Sequence, residues 1–230
     1  MQTVRFAGNI WQKFFHQFGL SNFNDFYEYS GGELINSNTK RNVLAFTLGE
    51  NQDKKEFFMK RFFKPHYKDM LFTISNYGRL LSQGGLEWKN ANNLLDLDVG
   101  TYVPVCFGEN TACGIEKQSF VVTEKLTDEC FTDFVGRKWN GLGNSEKTKI
   151  MAGIGRLLRK VHDAGIALPD FYAWHIYLSK QPGGEYDFSV IDLHRMKVNV
   201  KSEGTFARDM GAFYHSMIDD YFDNAHKETL

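Results

Sequence analysis

The chain has 230 residues, of which 42% are hydrophobic and 24% charged, a composition typical of a globular protein that excludes extensive disorder. Its net charge of −1 and pI of about 6.7 disfavour a dedicated nucleic-acid-binding protein, which normally has a basic domain. No apolar run reaches the roughly 18–20 residues that cross a bilayer. The N-terminus lacks a signal-peptide pattern, and the three cysteines lack zinc-finger spacing. We therefore expect a cytoplasmic protein with reduced thiols and no nucleic-acid partner.

The first quarter of the chain contains one predicted helix and three predicted strands. Apolar residues at positions 10–18 recur at helical spacing, which predicts a helix that either packs on the fold or lies on a membrane surface. Residues 29–63 predict three antiparallel strands, because turn-forming residues at 36–38 and 49–53 separate them. Lys60 lies in the last strand, among aromatic residues. A lysine there either reaches water from a sheet edge or holds the phosphates of a nucleotide.

A helix or a pair of helices is predicted over residues 77–98. A pair of glycines interrupts it, so its stronger part covers residues 86–97. Glu87 lies in the first turn of that part. An acidic residue there either favours the helix N-terminus through the helix dipole or forms an ion pair that orients Lys60.

Strands dominate the chain up to residue 124, and helices dominate after it. Two strands are predicted over residues 101–107 and 118–123, and the second leaves its apolar stretch at Glu124. Residues 1–125 are therefore predicted to form a β-rich lobe with an N-terminal helical extension. Residues 126–230 are predicted to form a mainly helical lobe, with a cleft between the two. The expected fold class is α+β.

Two long helices are predicted in the second half. The first covers residues 146–164, with Ser145 as its N-cap and Gly165 as the residue that ends it. The second covers residues 205–222.

Two aspartates, Asp170 and Asp192, lie between these helices. Each stands at the edge of an apolar, β-branched or aromatic run, so each is expected to cap or follow a short strand. A hairpin of those strands would place both carboxylates in one cleft. One carboxylate could then hold Mg²⁺ while the other accepts or orients a hydroxyl proton. The alternative is that both are turn-forming residues.

Several stretches resemble the lipopolysaccharide kinase (Kdo/WaaP) family, over roughly residues 40–215. The most specific are D-x-Y-x-x-H-I-x-L at residues 170–178 and I-D-L-H-R at residues 191–195. The resemblance implies a reduced protein-kinase-like fold with two lobes, a small antiparallel sheet in the N-lobe and mainly helices in the C-lobe. It also implies an enzyme that uses ATP and Mg²⁺ to phosphorylate a sugar, Kdo or heptose, of the lipopolysaccharide inner core.

A lysine, two glutamates and two aspartates follow one another in the order that protein-kinase-like enzymes use. The expected roles are catalytic base for Asp170, Mg²⁺ ligands for Asp192 and His175, and ATP binding for Lys60, Glu87 and Glu124. His194 and Arg195 would line the cleft near Asp192. His175 could instead be a core histidine.

The chain departs from the family pattern in two places. Leu168-Pro169 precede Asp170, where the family more often shows His-Arg, so the catalytic loop lacks a usual arginine anchor. No G-x-G-x-x-G motif is present, and Gly31-Gly32 with the turn at 36–38 would have to cover the nucleotide.

The resemblance implies lipopolysaccharide core or a lipid A precursor as acceptor, on the cytoplasmic side of the inner membrane. Peripheral contact with that membrane fits this location. Two alternatives remain: a kinase of the same fold that acts on another small molecule or a protein, and a non-catalytic protein that binds nucleotide or a partner. The joint presence of Lys60, Glu87, Asp170 and Asp192 disfavours the non-catalytic protein, because a binding module does not need all four.

Overall fold

The computed structural model describes residues 1–65, 67–217 and 222. The chain divides into two compact units. One comprises Met1–Asn92 and Tyr102–Lys125, and the other comprises Asn93–Thr101 and Leu126–Leu230. The first is an antiparallel sheet with helices packed on it, and the second is mainly helical with a small sheet. The predicted α+β class is therefore confirmed.

The sheet of the first unit has six strands, and that of the second has four. In chain order the strands are β1 (Gln2–Phe6), β2 (Glu33–Ser37), β3 (Arg41–Leu48), β4 (Lys55–Phe62), β5 (Gly100–Thr101), β6 (Pro104–Ala112), β7 (Ile115–Glu124), β8 (Glu129–Cys130), β9 (Ile176–Lys180) and β10 (Tyr186–Val190). The larger sheet has the order β1-β6-β7-β4-β3-β2, and the smaller one has the order β5-β10-β9-β8. The three strands predicted within residues 29–63 are confirmed as β2, β3 and β4.

The helices are distributed over both units. They are α1 (Asn9–Gln17), α2 (Phe23–Tyr27), α3 (Tyr67–Tyr77), α4 (Gln83–Asp96), α5 (Phe131–Lys138), α6 (Asn144–Asp163) and α7 (Glu203–Ser216). No described helix has the length and the apolar composition needed to span a bilayer.

One face of the six-stranded sheet is covered by α1 and α2 through an aromatic core. Phe15 of α1 and Phe26 of α2 are fully buried, and the Phe15 ring lies 5.2 Å from that of Phe57 on β4. Trp11 contacts the same Phe57 ring edge-on. The predicted helix over residues 10–18 is thus confirmed, and its aromatic face is used for packing within the unit, whereas Ile10 points outward and is 82% exposed.

The other face of the sheet receives α4, and two glycines make this contact close. A Cβ at Gly84 would lie 2.5 Å from the carbonyl oxygen of Phe120 on β7. The prediction that Gly84-Gly85 interrupt the helix is therefore wrong, since both residues lie inside α4. The absence of side chains lets the helix backbone approach the strand, which outweighs the low helix propensity of glycine.

Several boundaries differ from the prediction because tertiary contacts decide them. The single strand expected over residues 101–107 is split, since Gly100–Thr101 pair in parallel with β10 while β6 begins at Pro104. This pairing, with a 2.6 Å hydrogen bond from the Thr101 hydroxyl to the Val190 carbonyl, places residues 93–101 in the second unit. The predicted division of the chain after residue 125 did not assign residues 93–101 to the second unit. β1, β8, α2, α3 and α5 were not predicted.

The two long helices of the second unit are confirmed with shifted ends. α6 begins one residue before Ser145, so Gly143 occupies the N-cap position instead. Gly165 ends the helix as expected, in the left-handed conformation at φ +70°. α7 covers Glu203–Ser216, and residues 218–221 of the predicted helix lie outside the described part of the chain.

Replacing Gly84 with alanine tests the close approach of α4 to β7. The added Cβ would meet the Phe120 carbonyl at 2.5 Å, so Gly84→Ala should lower the free energy of unfolding by about 1–3 kcal/mol through overpacking. Thermal unfolding followed by circular dichroism measures this. Gly136→Ala is the control, because Gly136 lies in α5 and a Cβ there would meet nothing within 4 Å. This substitution should stabilise the helix by roughly 0.5–1 kcal/mol. Equal effects of the two variants would contradict the packing described.

Candidate active site

Lys60 and Glu87 form a buried ion pair in the first unit. The Lys60 ammonium donates to both carboxylate oxygens of Glu87, at 2.7 and 2.9 Å, and Glu87 is 1% exposed. The Tyr102 hydroxyl donates to the same carboxylate at 3.4 Å. β4 lies between β3 and β7, so Lys60 is on an interior strand and does not reach water from a sheet edge. The predicted pairing of Lys60 with Glu87 is therefore what the structure contains.

Side chains of β7 hold the start of α4 and thereby position Glu87. The Gln83 N–H donates to the Glu116 carboxylate at 3.0 Å, and the Gly84 N–H donates to the Ser119 hydroxyl at 2.9 Å. These bonds satisfy backbone donors that a helix N-terminus leaves without intrahelical partners. Burial raises the pKa of Glu116 from 4.5 to about 7, although the hydrogen bonds from Ser119 and Gln83 act in the opposite direction.

Glu124 is not brought to the Lys60–Glu87 pair. In the β4–β7 ladder Glu124 lies opposite Phe57, whereas Lys60 lies opposite Val121. Directly opposed residues share a face and successive residues alternate, so the Glu124 side chain is on the α1 face, where it pairs with Lys55 at 3.4 Å. Its predicted role in ATP binding stays a prediction.

The loop that carries Asp170 is fixed by hydrogen bonds to its main chain. The Asp170 carbonyl accepts the Tyr172 N–H and the Nδ1–H of His175, both at 2.8 Å. The Leu168 N–H donates to the carboxylate of Asp209 on α7 at 2.6 Å. Every one of these groups lies in the second unit. Polar contacts on both sides of Asp170 therefore hold the loop in place.

Asp192 follows β10 and faces the same loop. β9 and β10 form the predicted antiparallel hairpin, and the Ile191 N–H donates to the His175 carbonyl at 2.9 Å. The Nε2 of His175 lies 3.9 Å from the Asp192 carboxylate. Asp192 itself has φ +58°, a left-handed conformation that aspartate tolerates better than most residues. The structure thus brings Asp170, His175 and Asp192 together.

Arg195 contacts Asp170 directly. The short 3₁₀ turn Leu193–Arg195 follows directly after Asp192. It brings the guanidinium of Arg195 to within 2.8 Å of the Asp170 carboxylate. The sequence indicated only that Arg195 lies near Asp192. Since Pro169 stands where the family more often has arginine, Arg195 supplies from 25 residues away a cation that the loop itself lacks.

Asp209 is the residue that the sequence did not indicate. It is 1% exposed and accepts hydrogen bonds from Leu168, at 2.6 Å, and from the Nε2 of His162, at 3.1 Å. The His162 ring also stacks on Phe206, so His162 joins the end of α6 to α7. An acidic residue in α7 has no local pattern that links it to a loop 41 residues earlier.

The donor set near Asp170 fits a magnesium ion that completes its shell with substrate oxygens. Among the described residues no group of three or more His, Cys, Asp and Glu side chains is arranged to hold a metal ion. Mg²⁺ needs few protein ligands, because it keeps waters and binds substrate phosphates together with one or two carboxylates. Asp192 offers one carboxylate of the kind that could serve in this way. His175 has its Nδ1–H engaged with a carbonyl, which leaves Nε2 directed at Asp192.

Comparison with known proteins identifies the family. The model of the lipopolysaccharide kinase (Kdo/WaaP) family matches residues 27–230. The chain belongs to the lipopolysaccharide kinase (Kdo/WaaP) family. Lipopolysaccharide core heptose(I) kinase WaaP of Escherichia coli K12 is 28% identical over 175 residues, which cover 74% of this chain and 64% of that protein. The enzyme of the same name from Pseudomonas aeruginosa is 28% identical over 139 residues, 58% of this chain and 52% of that protein.

The chain spans less than two thirds of the length of these WaaP relatives. A solved structure of WaaP in complex with acyl carrier protein superposes with a TM-score of 0.73 at 19% sequence identity, covering 99% of this chain and 86% of that one. This likeness establishes the fold. The expectation of a protein-kinase-like architecture is thereby confirmed for this Kdo/WaaP family member.

Glu116 gives the first unit a pH-dependent stability. Its pKa is raised from 4.5 to about 7, so between these values the folded chain holds a proton that the unfolded chain has released. The free energy of unfolding should therefore fall as the pH rises through this window, by about 3 kcal/mol from this group, and stay level above it.

Glu116→Gln should remove that slope while keeping an acceptor for the Gln83 N–H. Urea unfolding of both proteins at pH 5 to pH 8 measures it, and the difference between the two curves isolates Glu116 from the other titrating groups. Parallel curves would show that the Glu116 carboxyl does not titrate in this range.

Proposed function

We propose that the chain is an ATP-dependent kinase that phosphorylates a heptose of the lipopolysaccharide inner core. The observation that carries the proposal is the arrangement in the second unit, where Asp170, held by Arg195 at 2.8 Å, lies on the loop whose His175 faces Asp192. The heptose(I) kinase names of the relatives favour heptose over Kdo as the acceptor sugar. The acceptor would be the core of a lipid-linked precursor at the cytoplasmic face of the inner membrane.

Lys60 would bind the phosphates of ATP, and Glu87 would hold the Lys60 ammonium in position. A lysine ammonium held by a buried glutamate has its position fixed before the nucleotide arrives, so less side-chain entropy is lost on binding. The bidentate contact at 2.7 and 2.9 Å supports this role. The Tyr102 hydroxyl also donates to Glu87, so the carboxylate that positions the lysine is itself held by a second partner.

Asp192 would hold Mg²⁺, with Nε2 of His175 beside it and phosphate oxygens completing the shell. When bound, the ion neutralises the charge of the phosphates and of the group in transfer. Oxygen is the ligand atom that Mg²⁺ prefers, which makes Asp192 the principal ligand. His175 would act mainly by orienting the loop, because its Nδ1–H donates to the Asp170 carbonyl at 2.8 Å.

Asp170 would orient the sugar hydroxyl and accept its proton. In phosphoryl transfer most of the charge develops on the phosphoryl oxygens, and the hydroxyl proton leaves late, so the base acts chiefly by positioning. The guanidinium of Arg195 limits the rotamers of the Asp170 carboxylate through one oxygen and leaves the other oxygen for the acceptor. We therefore assign Arg195 as a positioning residue for Asp170.

Asp170→Asn tests the proposed chemistry. The variant keeps the shape of the side chain and loses the proton acceptor, so transfer of phosphate should fall by about 10²–10⁴-fold. Nucleotide affinity, which rests on Lys60 and Asp192, should stay near the parental value. The assay is mass spectrometry of a heptose-containing core acceptor after incubation with Mg²⁺–ATP, which detects the addition of one phosphate, and isothermal titration measures nucleotide binding.

Asp187→Asn is the matched control, because Asp187 is an exposed aspartate on β10 of the same unit. Full transfer by the Asp170 variant would return Asp170 to the role of a turn residue and favour a non-catalytic nucleotide-binding protein. Phosphate transfer to a Kdo-only acceptor or to another small molecule, but not to heptose, would instead correct the substrate and leave the kinase chemistry in place.

Arg195→Ala tests whether Arg195 acts through Asp170. Loss of the ion pair frees the carboxylate, and misplacement of a reacting group can cost up to about 10²-fold in rate, so kcat should fall while the KM for ATP is unchanged. A double-mutant cycle decides the mechanism: Arg195→Ala should have little further effect in the Asp170→Asn background.

Lys197→Ala, an exposed cation two residues away, is the control and should retain full activity. Arg195→Lys should restore only part of the rate, because lysine lacks the planar fork of arginine. Additive effects of the Arg195 and Asp170 substitutions would mean that Arg195 contacts the phosphates independently.

A further inference from the structure

The helix α3 packs on the first unit with its polar face. Thr73 is fully buried and Asn76 is 8% exposed. The Leu81 N–H donates to the Thr73 hydroxyl at 3.0 Å, and the Tyr77 hydroxyl donates to the side chain of Asn90 on α4. A surface helix normally buries an apolar stripe and exposes its polar residues. α3 departs from this pattern, because its buried residues, Thr73 and Asn76, are polar.

Three apolar residues of α3 face outward, whereas Met70 and Phe72 are half-buried. Tyr67 is 74% exposed, Leu71 is 62% exposed and Ile74 is 42% exposed. Their spacing of four and then three residues places them on one face of the helix. Leu80, 44% exposed, follows directly after the helix. We call these four residues the outward stripe. Much of the apolar surface of this stripe stays in contact with water, so a partner that covers it would gain hydrophobic stabilisation.

Basic side chains accompany the outward stripe. Lys64, Lys68 and Arg79 are exposed, and Asp69 is the only acidic residue between positions 64 and 82. The segment therefore carries a net charge of +2, whereas the whole chain carries −1. The segment that carries the outward stripe is thus positively charged, whereas the chain as a whole is slightly negative.

We propose that the outward stripe docks on the surface of an anionic lipid bilayer. Its apolar side chains enter the boundary between headgroups and acyl chains, and Lys64, Lys68 and Arg79 meet the headgroup phosphates. A second copy of the chain is a poor occupant, since it would bring the same basic residues together. Four partly exposed side chains also offer well under the roughly 800 Å² per partner that a stable protein interface buries, whereas a bilayer needs no shape complementarity.

This surface rests on α3 alone and goes beyond the proposed function. If the acceptor is lipid-linked, docking would also keep the enzyme in the plane where the acceptor sugar lies. Bilayer docking and kinase activity can be tested separately, because vesicle binding is measured without ATP or acceptor.

The experiment is co-sedimentation of the full chain with vesicles. The protein should sediment with vesicles of mixed phosphatidylglycerol and phosphatidylcholine, and much less with phosphatidylcholine alone. Added salt should weaken the binding, since it screens the basic residues. The double variant Leu71→Gln, Ile74→Gln should bind at least about tenfold more weakly, because it removes the two aliphatic side chains of the stripe.

Ile10→Gln is the matched control, since Ile10 is an exposed isoleucine on α1 and is 82% exposed. It should bind like the parent, whereas Lys68→Glu, Arg79→Glu should lose the preference for anionic vesicles. All these positions are exposed, so circular dichroism should show unchanged folding. Equal binding by the Leu71, Ile74 variant would overturn the proposal, as would absence of vesicle binding by the parent. A lipid-free dimer that this variant abolishes would also overturn it, in favour of a second copy.

Discussion

A buried carboxylate needs a cation or hydrogen-bond donors as partners, and several elements of the first unit position the partners of Glu87. Its partner Lys60 lies on an interior strand, so the helix that carries Glu87 has to be held against the sheet at a fixed distance. Gly84 allows the approach, and Ser119 and Glu116 on β7 accept the first N–H groups of the helix. The position of one charge is thereby set by the backbone of two elements.

The second unit uses a different means to fix its reactive groups. Its loop has little regular structure, and buried main-chain groups there need partners from elsewhere. Asp209 binds the Leu168 N–H from α7, and His175 binds the Asp170 carbonyl from within the loop. Arg195 then restrains the side chain of Asp170. Backbone and side chain are restrained separately, so a substitution in one set leaves the other largely in place.

The sequence was sufficient where a local pattern decides the structure. Turn residues located β2, β3 and β4, and Gly165 located the end of α6. The resemblance supplied the candidate residues, and the pairing of Lys60 with Glu87 and the proximity of Asp170 to Asp192 follow from their predicted strands and helix. Contacts between distant segments were beyond reach. Gly84-Gly85 resemble a helix breaker in the sequence, and only the structure shows the Phe120 backbone against Gly84. Nothing near Asp209 indicates its bond to the Asp170 loop, and the sequence placed Arg195 only near Asp192. For α3, periodicity alone cannot state which face is buried.

The left-handed backbone of Asp192 affects how substitutions at this position have to be interpreted. Alanine disfavours that conformation by roughly 1–2 kcal/mol, so an alanine scan would disturb the turn that leads to Arg195 as well as remove the carboxylate. Asparagine tolerates the same backbone and changes only the charge, and glycine relaxes the backbone while removing the side chain. At Asp192, alanine is therefore more disruptive than either asparagine or glycine.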